Sequence, residues 1–181
     1  MMGNIFYLSG FMASGKSTIG PIVANTLGWD FIDLDEEIEK RENKKITKIF
    51  SNDGEEYFRK RESEILHEIG NGDKLIIALG GGTLLKPENF NFIRSTGKLI
   101  FLEISSQIAY NRLRYKKDRP VLIKIGEEID EETYINRIEA LMKKRKDIYA
   151  EADYTFNTDN VTVGETVNKI VKLIRNSFGT K

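Results

Sequence analysis

The sequence predicts an α/β fold, a three-layer α/β/α arrangement in which a five-stranded parallel sheet carries helices on both faces. Three observations predict it. Five short apolar runs, Ile5–Leu8, Phe31–Leu34, Leu75–Leu79, Leu99–Leu102 and Tyr154–Phe156, alternate with stretches of helical period. The first run leads directly into Gly10-Phe11-Met12-Ala13-Ser14-Gly15-Lys16-Ser17-Thr18, which fits G-x-x-x-x-G-K-[ST] without a mismatch. The length of 181 residues suits one well-buried core, so a single domain over residues 1–181 is expected.

Taken in order, Ile5–Leu8 reads as a short buried strand and Ser17–Leu27 as the helix that follows the glycine loop. Converging backbone N–H groups can cradle a phosphate only where side chains do not block them, so glycines open and close such a loop. The helix N-terminus adds partial positive charge. Lys16 supplies a point charge for the outer phosphates and Ser17 a hydroxyl ligand for Mg²⁺. Gly10, Met12, Ala13, Ser14, Gly15, Lys16, Ser17 and Thr18 are therefore the candidate nucleotide-binding set.

The second run ends in Asp33-Leu34-Asp35. Read as a strand of period two, it points both carboxylates the same way at the sheet edge. One is placed to hold a metal's water shell, the other to orient or deprotonate an acceptor hydroxyl. An ordinary acidic helix start, with Asp35 capping Glu36-Glu37, accounts for the same residues. Helical patterns follow over Asp35–Asn43, Ile46–Asn52 and Glu55–Ile69. In the last, Arg59 and Glu62 stand three apart and can pair, fixing the guanidinium for bidentate capture of a carboxylate. A solvated charged face has the same spacing.

The third run enters Gly80-Gly81-Gly82, more glycine than a simple turn needs, so a ligand or second loop can approach the backbone. It ends without an Asp, which makes Asp33 the better acidic partner for the metal. After the fourth run, Arg112 and Lys116-Lys117-Asp118-Arg119-Pro120 form a basic stretch that suits a segment closing over phosphates. Glu132–Tyr149 reads as one helix, and Val163–Asn176 as an amphipathic one through Val167, Ile170, Val171 and Ile174.

Composition excludes several chemistries. There is no cysteine, so disulfides, thiol nucleophiles and Cys-ligated metals are ruled out, and the single histidine, His67, rules out a multi-histidine metal site. Twenty-eight basic residues balance 28 acidic ones, which argues against nucleic-acid or membrane binding through bulk charge. No signal-peptide pattern and no apolar stretch near the ~20 residues of a membrane span are read, so a cytoplasmic protein is expected.

Taken together, the glycine loop, Asp33-Leu34-Asp35, Gly54-Glu55-Glu56-Tyr57-Phe58-Arg59, Gly80-Gly81-Gly82, Arg119-Pro120-Val121-Leu122 and Arg145 through Tyr149 to Ala152-Asp153 resemble the shikimate kinases. These are phosphate-loop kinases similar to the nucleoside monophosphate kinases, and the resemblance runs from about Ile5 to Thr158. It implies a phosphate-loop kinase fold with a lid over about 112–125 and shikimate-binding helices over about 35–69. It implies ATP and Mg²⁺, transfer to the 3-hydroxyl of shikimate, and a monomer acting on small molecules in the chorismate pathway. By the same resemblance Asp35 holds the acceptor hydroxyl as candidate base, with Lys16 and Arg119 as further catalytic groups. Asp33 and Ser17 lie at the metal. Arg59, Arg145 and the backbone of Gly80, Gly81 and Gly82 bind shikimate, Glu62 orients Arg59, and Phe50 and Phe58 wall the ring. Arg119 is the lid arginine, and Arg112 lies against adenine.

Two departures accompany the resemblance. Thr158-Asp159-Asn160-Val161 offers no arginine beside the adenine, and the stretch from Arg119 to Arg145 is long and rich in glutamate. Competing functions are a gluconate kinase of the same fold and a nucleotide-binding regulator without catalysis. The acceptor-side residues Asp35, Arg59 and Arg145 weigh against the regulator. A GTP switch lacks its guanine-reading element, because Asn43-Lys44-Lys45-Ile46 has no aspartate.

Overall fold

The computed structural model describes residues 4–115, 122, 127 and 129–177. Five strands, β1 (Ile5–Gly10), β2 (Asp30–Asp33), β3 (Leu75–Ala78), β4 (Lys98–Glu103) and β5 (Tyr154–Asn157), form one sheet in the order β2-β3-β1-β4-β5. Every neighbouring pair is parallel. The helices are α1 (Lys16–Leu27), α2 (Leu34–Glu42), α3 (Ile46–Asn52), α4 (Gly54–Ile69), α5 (Pro87–Thr96), α6 (Ser106–Leu113), α7 (Glu131–Lys143), α8 (Lys146–Ala150) and α9 (Val163–Ser177).

The alternation of β1 explains the layers. Ile5 and Tyr7 enter a core shared with Leu34 and Ile38 of α2, Phe58 and Ile65 of α4 and Ile93 of α5. Phe6 and Leu8 point the other way, into a core shared with Ile19 and Val23 of α1 and Ile170 and Ile174 of α9. A strand buried on both faces reads as a continuous apolar run, which is why β1 was legible without any alternation of polarity. Each buried Val, Ile or Leu contributes about 1.5–3 kcal/mol, and the apolar stripe of α9 packs on the face of Phe6 and Leu8 through Val167, Ile170, Val171 and Ile174. A third core, of Phe11, Ile104, Ala109, Leu113, Tyr134 and Ile138, joins α6 and α7 to the phosphate loop. Trp29 is half-buried, its ring 6.1 Å from that of Phe6.

The structure corrects the sequence reading at three places. β2 stops at Asp33 and α2 begins at Leu34, so Asp35 lies in a helix and not on the strand. Asp33 is the N-cap, its Oδ1 accepting from the N–H groups of Asp35 at 3.1 Å and Glu36 at 3.5 Å. The capping residue is thus Asp33 rather than Asp35, and the two carboxylates meet through a helix start rather than through strand alternation. The run expected as a single helix over Glu132–Tyr149 breaks, because the N–H of Arg145 donates to Met142 O at 3.0 Å, a three-residue step that tightens and ends α7. Helices α5 and α6 were not read. Their signals are present: Pro87 occupies the first turn of α5, and the Ser105 side chain caps α6.

Candidate active site

All five strands run the same way, so their carboxyl ends share one edge of the sheet, the edge at which ligands bind in open α/β folds. A cleft of about 550 Å³ opens there, lined by the phosphate loop, Asp33, Asp35, Leu79, Gly81, Arg112 and the start of α9.

The phosphate loop takes its shape from left-handed backbone at Ala13 (φ 62°) and Gly15 (φ 105°). Turns of this kind set successive N–H groups facing one point, forming an anion nest. No side chain caps α1 at Gly15, which leaves the helix N-terminus to an anion. A Cβ on Gly10 would stand 2.6 Å from Leu102 O, so the loop can pass against β4 only with glycine there. Lys16 folds over the loop, its Nζ donating to Gly10 O at 2.9 Å and Phe11 O at 3.4 Å. Met12, Ala13, Ser14, Gly15, Lys16, Ser17 and Thr18 all line the cleft.

Ser17 Oγ donates to Asp33 Oδ2 at 2.8 Å. Two hard oxygens on the floor of a phosphate-binding cleft fit Mg²⁺, which keeps several waters and takes few protein ligands. Among the described residues no group of three or more His, Asp or Glu side chains gathers as a metal site. A cation here would therefore rest on these two oxygens together with phosphate and water.

A second group of side chains gathers around Gly80-Gly81-Gly82. A Cβ on Gly80 would lie 2.7 Å from Asp35 Oδ1 and 3.1 Å from Glu62 Oε1, so these carboxylates converge on its backbone. Asp35 has its pKa pushed up to about 6, chiefly by burial, then by the charges of Asp33 and Glu62, against the pull of Lys16 and Arg59. Glu62, 1% exposed, accepts from Arg59 Nη1 at 2.8 Å, which settles the spacing of these two residues as a pair and not a solvated face. Arg59 lies across Gly82, where a Cβ would be 2.6 Å from its Nη2. Arg145, brought to the site by the break between α7 and α8, rests with its Nη1 2.9 Å from where a Cβ of Gly81 would be. Phe50 is partly exposed and its ring lies 4.7 Å from that of Phe58, which is buried behind it in the core.

At the opposite end, Arg112 donates to Ala13 O at 3.0 Å and Thr158 O at 2.9 Å, tying the phosphate loop to the segment after β5. Val161, Val163 and Thr166 complete that end of the cleft. Arg119 and most of the expected lid lie outside the described residues; of the span 112–125, residues 112–115 and Leu122 are described. His67, given no role from the sequence, packs against Phe92 with the rings tilted and their centroids 4.2 Å apart. Thr83 was not singled out. Its hydroxyl donates to Glu62 at 2.6 Å, a contact across 21 residues that no local pattern signals.

With this geometry in view, the family model for shikimate kinase matches residues 12–175. The chain belongs to the shikimate kinase family. It is similar to the shikimate kinase of Chlorobaculum tepidum, 43% identical over 172 residues, covering 94% of this chain and 90% of that one. The shikimate kinase of Chloroherpeton thalassium is 41% identical over the same span, covering 92% of its own length. Among solved structures, the shikimate kinase of Acinetobacter baumannii in complex with shikimate superposes with a TM-score of 0.84 at 32% identity, covering 96% of this chain and 93% of that one. Shikimate kinases are enzymes that phosphorylate shikimate with ATP on the route to the aromatic amino acids. Among the described residues, no helix is long and apolar enough to cross a membrane.

Proposed function

We propose that this kinase transfers the γ-phosphoryl group of ATP to the 3-hydroxyl of shikimate, giving shikimate 3-phosphate and ADP, with Mg²⁺ on the phosphates. The observation that carries the reading is the meeting of Asp35, Arg59 and Arg145 around the Gly80–Gly82 turn, beside Lys16 and Ser17. One carboxylate and two guanidiniums at one glycine turn suit an acceptor that is both a hydroxylated ring and an anion.

Phosphoryl transfer passes through a loose transition state, so the residues act by positioning and by neutralising charge. The phosphate-loop N–H groups and Lys16 Nζ hold the β- and γ-phosphates. Ser17 Oγ and Asp33 would hold Mg²⁺ and its water, and the ion would supply neutralisation of the phosphate charge. Asp35 accepts a hydrogen bond, and then the proton, from the attacking hydroxyl at its carboxylate. A pKa near 6 leaves that carboxylate mainly ionised at neutral pH, yet closer to the working pH than an ordinary aspartate. Arg59, kept in direction by Glu62, and Arg145 hold the acceptor's carboxylate and ring hydroxyls, with the Gly80–Gly82 backbone beneath and Phe50, backed by the buried Phe58, at the side. Arg112 lies on the adenine, and Arg119 closes on the phosphates from the lid.

The same reading has one domain acting as a cytoplasmic monomer on small molecules, without nucleic-acid or membrane partners; the balanced charge supports it. The test is ³¹P–¹H correlation NMR of the product formed from ATP and shikimate. Coupling of the new phosphorus to the ring proton at C3 is expected. Coupling at C4 or C5 would move the acceptor hydroxyl.

A further inference from the structure

Thr83, in the short 3₁₀ turn Thr83–Leu85 that follows the glycines, touches neither end of the cleft and is completely buried. Its surroundings are polar. Thr83 Oγ1 donates to Glu62 Oε1 at 2.6 Å, while the other oxygen of that carboxylate takes Arg59 Nη1 at 2.8 Å. The Thr83 backbone is fixed on both sides. Its N–H donates to Gly80 O at 3.3 Å, closing the glycine turn, and its carbonyl accepts from the buried Asn89 of α5 at 3.2 Å. A chain of hydrogen bonds thus runs from α5 through the glycine turn to the α4 arginine.

From this geometry we infer that Thr83 is a positioning residue for shikimate binding, acting through Glu62 to hold the direction of Arg59. The inference rests on the reading that Arg59 binds shikimate. A buried carboxylate needs partners on both oxygens. With only Arg59 attached, Glu62 can turn about its last torsions and carry the guanidinium with it. The Thr83 hydroxyl fixes the second oxygen to the same turn that carries Gly82, over which Arg59 lies. The two sides of the acceptor pocket, α4 and the glycine turn, are thereby registered to each other by one hydroxyl. Its loss degrades the aim of the arginine without removing any group that touches substrate.

The test compares Thr83→Ser with Thr83→Ala, which lose the same methyl group and differ in the hydroxyl. Steady-state kinetics with each substrate varied are expected to give T83A a shikimate KM raised about tenfold, with kcat and the ATP KM within about twofold of the parent. T83S is expected to stay within about twofold in all three. Adding T83A to Glu62→Ala, which removes the acceptor of the Thr83 hydroxyl, is expected to raise the shikimate KM no further. Equal shikimate KM for T83A and T83S would overturn the inference, as would an effect of T83A that is undiminished in the E62A background. Arg59→Ala separates the two layers. If R59A raises the shikimate KM and T83A does not, Thr83 alone loses its role; if R59A leaves it unchanged, the assignment of Arg59 falls and takes the inference with it.

Discussion

Ser17 and Asp33 share a hydrogen bond of 2.8 Å that joins the first turn of α1 to the end of β2. The two oxygens of Asp33 have different work: Oδ2 faces Ser17, and Oδ1 caps α2. Asp33→Asn can keep the cap while losing the charge, whereas Asp33→Ala loses both. Both variants are expected to need about tenfold more free Mg²⁺ for half-maximal rate, measured by Mg²⁺ titration at fixed ATP. Only D33A is expected to lose about 1 kcal/mol of stability in urea unfolding.

Asp35, proposed as the base, should carry the pH dependence. With its carboxyl at about 6, kcat/KM for shikimate is expected to fall tenfold per pH unit below that value, as the carboxylate proposed to accept the proton is lost. Stability moves the other way. Between about pH 4 and pH 6 the folded protein keeps a proton that the unfolded chain has released, so stability falls as pH rises through that window. Asp35→Asn removes this contribution. It is expected to abolish turnover, to leave ATP binding near normal, and to gain on the order of 1–3 kcal/mol relative to the parent on going from pH 4 to pH 7.5. Denaturant melts at the two pH values check the sign.

Much of this site was readable in the sequence because its parts are local. The glycine loop is contiguous, and Arg59–Glu62 is one helical step. What escaped was set by backbone breaks and by distance along the chain. Asp33 and Asp35 fall on either side of a strand-to-helix change that has no linker residue, so a period-two reading crossed it unawares. Arg145 was named by the resemblance, but the end of α7 that brings it to Gly81 has no glycine or proline to announce it. Thr83 meets Glu62 only through the tertiary packing of α4 beside the glycine turn.

Gly80 and Gly81 are expected to respond differently to alanine. At Gly80 the methyl would meet the oxygens of the half-buried Asp35 and the buried Glu62 and Thr83 at 2.7–3.2 Å, with little room to yield. At Gly81 it would meet the far end of Arg145 at 2.9 Å, a flexible side chain that can shift. Gly80→Ala is expected to lower kcat/KM for shikimate by more than 100-fold, roughly 3 kcal/mol of transition-state stabilisation. Gly81→Ala should raise the shikimate KM by about tenfold or less.

Arg112 bridges Ala13 O and Thr158 O, so it should serve the nucleotide and not the acceptor. Arg112→Ala is expected to weaken ADP binding about tenfold by isothermal calorimetry while leaving shikimate affinity within twofold. A loss confined to shikimate would place the residue on the wrong side of the cleft.

The measurement to make first is coupled ADP release with ATP and Mg²⁺, with shikimate present, absent, or replaced by gluconate. Release that requires shikimate and ignores gluconate is the expected result. Nucleotide binding without release on adding shikimate, or release with gluconate alone, would contradict the assignment of the pocket formed by Asp35, Arg59 and Arg145.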